Sequence, residues 1–391
     1  MSKRPRTSDE TPYPELTLRL FEECDGSRVL LLVCKRWHSA ITGFRPQWHT
    51  LLRIPLLCVL GKERIITLSQ RPVAYQTDLA LLCDSVVRQG HFDTDLGAQC
   101  VALVQRYYDD CTPLSISHHH AKDMRITFRE EGHLYTVMVF ERTHYILRSN
   151  DTTSAQPWPS ATGWLGTLFH PFVTHERALA CESSPRQSDP SYRYYKMKYD
   201  QICEYWVQTS VYGTNRHGNM ELCLNGLPHD TTGEEWHLWL EFKRAHIDGK
   251  LTPWRSEQKL WSRRLRMVGS DDITWIYIDE RKRYTKEGRL IVVLMDFKFC
   301  QDVRHSSFDD ASGIVPCTAH TPDCNASRWG IQVHLYRTIL EEYGYCVEPV
   351  MSDIVLHPSQ KTYIKEDFKF DERFSRLLIA HRLGEIAKQP K

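Results

Sequence analysis

At 391 residues, 41% hydrophobic and 25% charged, the chain has the composition of a globular protein with a sizeable core and room for two or three domains. A net charge of +1 excludes a global basic field, so any nucleic-acid site has to be a local patch. Thirteen cysteines without a framework spacing, no leader-like opening and no apolar run of membrane length set the expectation of an intracellular protein, nuclear or cytoplasmic, with reduced thiols and no membrane partner.

Residues 1–10 are polar and expected to be disordered, with Lys3-Arg4-Pro5-Arg6 a short basic run of the kind found in nuclear addresses. From Tyr13, short amphipathic helices are expected on either side of a turn at Asp25-Gly26. Segment 11–50 resembles an F-box, whose pattern is Leu-Pro-x-Glu-Leu, then Ile-Phe, then Val-Cys-Lys-x-Trp. The matching residues are Pro14, Glu15, Leu16, Leu20, Phe21, Val33, Cys34, Lys35, Arg36 and Trp37; Tyr13 replaces the usual Leu, and the stretch before Val33 is a few residues short. The resemblance implies docking to the Skp-type adaptor of a cullin–RING ubiquitin ligase, with Pro14, Leu16, Leu20, Phe21, Val33 and Trp37 at the contact. The plainer reading is a small helical packing unit that recruits nothing.

Residues 51–120 read as a helical linker without chemistry, and His118-His119-His120 as a solvated loop run. The period then changes. Arg125 to Phe128 and His133 to Val139 form a hairpin around Glu130-Glu131-Gly132. Residues 149–160 and 181–191 are loops, and Ala161 to Phe172 is helical. Tyr199 to Leu224 is a helix in which His217 and Glu221, four apart, share a face. Imidazole and carboxylate both bind divalent ions, although such pairs are also common on solvated helix faces. Glu241-Phe242-Lys243 has an acid-x-Lys spacing but sits on a helical pattern over Gly233 to Ile247, and is rejected as a site.

From Trp254 to Lys298 a three-stranded antiparallel meander is expected, with strands near Glu257–Trp261, Leu265–Ile278 and Leu290–Lys298. The last opens with six consecutive apolar residues and ends in Asp296-Phe297-Lys298. A period of two puts Asp296 and Lys298 on one face and Phe297 into packing. Asp272, mid-strand beside Ile273, needs a partner, and a cation shared with Asp296 supplies one; the adjacent Asp271 leaves that ligand uncertain by one position. Residues 301–325 form a loop in which Cys317, His320 and Cys324 have a spacing that zinc can use. A helix from Ser327 to Tyr343 follows, with Gln332 and Tyr336 on one flank of its apolar stripe.

In this order the residues from about Ile126 to the C-terminus resemble a RecB-like nuclease of the PD-(D/E)XK superfamily, in the form carried by large DNA viruses and phages. The matching elements are Gly213-Thr214 with His217 and Glu221, Gly269 with Asp272, Asp296 with Lys298, and Gln332 with Tyr336; His133 and Tyr135, Arg255-Ser256-Glu257 and Leu356-His357-Pro358 also fit viral members. The resemblance implies an α+β or α/β fold over residues 121–391, a restriction-endonuclease-like mixed sheet flanked by helices. It implies a deoxyribonuclease, exonuclease or endonuclease, that hydrolyses DNA with Mg²⁺ or Mn²⁺. Asp272 and Asp296, with His217 or Glu221 and the Phe297 carbonyl, would hold the ion. Lys298 would orient or help deprotonate the attacking water, or steady the phosphate, and Gln332 and Tyr336 would position substrate or a ligand. Arg255, Lys259, Arg263, Arg264 and Arg266 form the best basic patch for DNA phosphates, against the plainer reading of a solvated strand edge. The alternative function is a non-catalytic F-box adaptor that uses the nuclease fold only for binding.

Overall fold

The structure is a computed structural model, and it describes residue 102 and residues 111–389 apart from 121, 130, 142–143, 152–156 and 308–309. The F-box-like segment, with Pro14, Leu16, Leu20, Phe21, Val33 and Trp37, and nearly all of the helical region 51–120 lie outside the described residues. The chain divides into two compact units, residues 1–109 with 140–146 and residues 110–139 with 147–391, and nearly all of the described residues belong to the second.

Helix α1 (Pro113–Ser117) leads to a hairpin of β1 (Ile126–Arg129) and β2 (Leu134–Glu141), paired antiparallel from Ile126↔Val137 to Arg129↔Leu134; β3 (His144–Ser149) follows. Gly132 turns the hairpin at φ 74°, a backbone angle that glycine adopts without strain. Helices α2 (Ala161–Gly166), α3 (Thr174–Glu182), α4 (Tyr199–Leu224) and α5 (Glu235–Phe242) come next, and the last continues as a wider turn over Lys243–Ile247.

The main sheet is mixed. Strands β4 (Leu251–Ser262), β5 (Met267–Tyr277) and β6 (Ile291–Lys298) form the expected antiparallel meander. Helix α6 (Asn325–Glu342) then crosses over, the short β7 (Cys346–Val347) pairs with β6, and β8 (Val350–Val355) lies parallel to β6. Strand β9 (Ile364–Lys369) closes the order β4-β5-β6-β8-β9, and α7 (Glu372–Lys388) ends the described chain. This is an α+β protein with a mixed sheet flanked by helices.

The central position of β6 explains its continuous apolar run, because a strand covered on both faces needs apolar side chains on both. Val292 and Leu294 join a core with Ile331, Leu335, Tyr336, Ile339 and Leu340 of α6. Met295 and Phe297 join a second core with Leu238, Trp239 and Phe242 of α5 and Met220 of α4. Phe297 stands edge-on to Trp239 with ring centres 5.6 Å apart, a burial worth on the order of 2 kcal/mol. The alternation leaves Asp296 and Lys298 on the α6 face. Among the described residues no helix is long and apolar enough to cross a membrane.

The histidine run is not solvated. His118 stacks on Trp254 at 3.8 Å between ring centres, and His120 packs on Tyr343 with its Nε2 3.1 Å from the Tyr343 carbonyl. An aromatic neighbour over 130 residues away in sequence decides this, and no local pattern announces it.

Candidate metal centre

Strands β5 and β6 pair only through Ile273↔Met295, Thr274↔Leu294 and Trp275↔Val293. One step further, the Phe297 N–H donates to the Asp272 carboxylate at 2.7 Å. A side chain thus replaces the next rung of the ladder, the strands part, and acidic groups occupy the gap. Extending the register sets Asp272 opposite Asp296.

On the other side of Asp272, strand β4 pairs Ser256↔Ile273 and Gln258↔Asp271, which puts Glu257 across from Asp272. Glu257 has φ 46°, a left-handed conformation that a non-glycine residue adopts at a cost in the middle of a strand. Strand β5 changes face at the same level. Strict alternation would put Gly269 and Ile273 on one face, yet Gly269 faces Tyr336 of α6 while Ile273 packs in the α5 core. The distortion in both strands centres on the two acids.

Helix α4 brings His217 over this point. Its Nδ1 is 3.2 Å from the Asp272 Oδ2 and 4.0 Å from the Glu257 Oε1. His217, Glu257 and Asp272 each offer one ligand atom, all within 4.8 Å of one another, and among the described residues they are the one group of three or more that could hold a metal ion. The second Glu257 oxygen is held by the Ser270 hydroxyl at 2.9 Å and the Lys259 ammonium at 3.5 Å. The Tyr135 phenol, buried on β2, is pushed to a higher pKa by burial and by the charges of Glu257 and Asp272.

Asp296 and Lys298 form an ion pair beside the triad. Lys298 Nζ also donates to Gln332 Oε1 at 3.2 Å, and Gln332 Nε2 lies 3.4 Å from both Asp296 Oδ1 and the Tyr336 hydroxyl. The Trp329 ring, also on α6, lies 5.6 Å from the Lys298 ammonium. Gln332 and Tyr336 therefore face the acidic gap.

The electrostatics follow from crowding. Burial alone would lower the His217 imidazole, but Asp272, then Glu257 and Asp296, outweigh it and raise its pKa to about 9. Burial would raise Asp272, and His217, Lys298 and the Phe297 N–H hold it below the usual carboxylate range. Asp296 is raised to about 6 by burial and the Asp272 charge, against the pull of Lys298. Burial would lower the Lys298 ammonium, yet Asp296, Asp353 and Asp272 keep it above its ordinary value.

Several expected residues stand elsewhere. Glu221 is not in the ligand triad; Glu257, across the strand, takes the place assigned to it. Phe297 meets Asp272 through its N–H. Asp271 is fully buried against the charge of Arg255, so Asp272 is the site residue of the adjacent pair. Arg255 is inside the protein, 3% exposed, with its guanidinium 2.5 Å from Asp123 and 3.0 Å from the His118 carbonyl, and it cannot meet DNA phosphates there. The basic patch is thus not contiguous. Lys259 is tied to Glu257 and Ser270, and Arg266 donates to Gln389 at 3.0 Å. Arg263 and Arg264 are exposed at the β4–β5 turn, on the order of 20 Å along the strand from Glu257 at about 3.3 Å per residue. Cys317, His320 and Cys324 do not gather as a ligand group among the described residues; Cys324 Sγ lies 3.2 Å from Ser327 Oγ.

Sequence reasoning gives no role to Asp353. It lies on β8 as the direct partner of Asp296 and is fully buried. Its signal in the sequence is an aspartate inside the apolar run Val350–Leu356. No protein-family model matches the chain, and no curated protein matches it.

Proposed function

We propose that the chain is a metal-dependent nuclease of the PD-(D/E)XK type that hydrolyses DNA phosphodiester bonds. The observation that carries this reading is the convergence of Glu257, Asp272 and Asp296 from three adjacent strands, with His217 above them and Lys298 beside them. A fold does not require such a concentration of acidic groups, which are partly buried and which a divalent cation would compensate together with Lys298.

The donor set fits a divalent ion. Two carboxylates and one imidazole within 4.8 Å suit Mn²⁺, and the oxygens also suit Mg²⁺, which tolerates nitrogen ligands less well. His217, Glu257 and Asp272 would hold the ion, with Asp296 adjoining. Such an ion, when bound, lowers the pKa of a coordinated water and neutralises charge on the scissile phosphate.

The protein's own groups do the rest. Lys298 presents an ammonium at the rim of the acidic gap, where it stabilises negative charge on a phosphate oxygen. Gln332 links Asp296, Lys298 and Tyr336, and so fixes the angle from which the ammonium acts. Ser270 orients Glu257, and the Phe297 N–H orients Asp272. The F-box-like segment adds a proposed contact to a Skp-type adaptor, which co-purification from cells tests separately.

The functional test is cleavage. The purified chain, incubated with linear and supercoiled DNA and Mn²⁺ or Mg²⁺, is expected to cut. Lys298→Ala is expected to lose on the order of 100-fold or more of that rate. Undiminished cutting by Lys298→Ala overturns the role given to the lysine, and no cutting by the native chain with either ion or substrate form overturns the nuclease reading.

A further inference from the structure

Asp353 stands outside the triad of His217, Glu257 and Asp272. The parallel register pairs Asp296↔Asp353 and Lys298↔Val355. Paired residues on neighbouring strands project to the same side, and so do residues two apart on one strand. Asp296, Lys298 and Asp353 therefore share one face of the sheet, with Asp296 in the middle of the acidic row. Asp353 is 0% exposed, and among the described residues neither of its carboxylate oxygens has a hydrogen-bond partner. Its cross-strand neighbour on β9 is another acid, Glu366, which pairs with His305 at 3.7 Å. A buried carboxyl group left in this way either holds a proton or takes a cation, and Lys298 is the one its strand register offers.

In this structure Lys298 is committed to Asp296 Oδ2, with Gln332 Oε1 as its second acceptor. That arrangement competes with any cation in the triad that also reaches Asp296, the carboxylate adjoining it. An ammonium and a divalent cation on one carboxylate repel each other, so a metal ion on Asp296 weakens its contact with Lys298. A lysine has four flexible carbons and three donors, so its ammonium can move by several ångströms while its backbone stays fixed.

We infer that Asp353 is a positioning residue that takes the Lys298 ammonium when a divalent cation takes the Asp296 carboxylate. The transfer gives each of the two buried carboxyl groups a cation of its own, the metal ion on Asp296 and the Lys298 ammonium on Asp353. Burial raises the Asp353 pKa well above its usual range and favours its neutral form; Lys298 is the main opposing influence, so bringing the ammonium closer favours the carboxylate. This inference rests on the metal reading of the site.

The test is a double-mutant cycle on the affinity of the full chain for Mn²⁺ alone, measured by calorimetry. Asp353→Asn is expected to weaken Mn²⁺ binding about tenfold, the scale of losses seen for groups that support metal ligands. In a Lys298→Met background there is no ammonium to receive, and adding Asp353→Asn is expected to change the affinity less than about twofold. Equal losses in the two backgrounds overturn the inference, since Asp353 would then act through its charge or the fold alone. A crystal of the native protein soaked in Mn²⁺ needs no variant to fold. Lys298 Nζ is expected within hydrogen-bond distance of Asp353. Bound Mn²⁺ with Lys298 still on Asp296 overturns this inference and leaves the metal reading standing. Failure of the native protein to bind Mn²⁺ overturns both.

Discussion

The Tyr336 ring lies so close to Gly269 that a Cβ on that glycine would stand 3.0 Å from the ring's Cε1. Strand β5 has a glycine there because α6 brings an aromatic ring onto its backbone. Tyr336 is 3% exposed and cannot swing away. Gly269→Ala is therefore expected to cost about 1–3 kcal/mol of stability, the usual penalty for overpacking. It is also expected to displace the Tyr336 hydroxyl from Gln332. Urea denaturation reads the first effect and the cleavage rate the second. A variant of native stability would mean that the contact relaxes freely.

Glu257 and Glu221 make opposite predictions. Glu257→Gln removes one carboxylate of the triad and is expected to weaken Mn²⁺ binding on the order of 100-fold or more. Glu221→Gln, one helical turn from His217, is expected to leave the affinity within about threefold. Calorimetry on the two variants decides between them, and the reverse ranking would return the ligand role to the helix.

The Arg255–Asp123 pair predicts a change in stability without a change in DNA affinity. Both side chains are almost fully buried, at 4% and 3% exposure. Arg255→Ala leaves Asp123 as an uncompensated buried charge, and is expected to cost about 3–5 kcal/mol. DNA affinity per folded molecule, and its dependence on salt, should stay as in the native protein. A weaker salt dependence in the variant would show that Arg255 does reach phosphate.

His334 gives the protein part of its acid sensitivity. Its Nδ1 lies 2.7 Å from the Gly330 carbonyl, while Nε2 accepts the Asp371 N–H at 3.2 Å. That pair of contacts requires the neutral ring, and Asp371 is the N-cap of α7. Burial lowers the folded pKa below the ordinary 6.5. The unfolded chain therefore takes up the proton first, so the contribution of His334 is complete above pH 6.5 and declines as pH falls below it. The buried carboxyls of Asp271 and Asp353, raised by burial, act in the opposite direction, so the difference between native and variant is the measurement. Melting temperatures of His334→Gln, compared with native between about pH 7.5 and 5.5, should fall less steeply with acid. Parallel curves would contradict the assignment.

Local pattern carried much of this architecture. Helix α4 spans Tyr199–Leu224 as its periodicity indicates, and the apolar run into Asp296-Phe297-Lys298 marks the central strand. The Gln332–Tyr336 spacing placed both residues toward the site because both lie on one helix. What was not legible depends on pairing between distant segments. Glu257 joins the triad only because β4 lies beside β5 in one register. Asp353 meets Asp296 through a parallel pairing across a whole helix. Arg255 reads as a surface cation in a basic stretch until α1 and the turn after it bring Asp123 over it. Charge pattern states how many ionic groups a segment has, and only the tertiary fold states which of them face one another.

The central claim is that His217, Glu257 and Asp272, with Asp296 adjoining, form a seat for a divalent cation. Anomalous scattering from a native crystal soaked in Mn²⁺ tests it most directly. A peak bounded by His217 Nδ1 and the carboxylates of Glu257 and Asp272 is the predicted result. At saturating Mn²⁺, a map without density at that point, or with its only peak elsewhere on the molecule, would contradict the account.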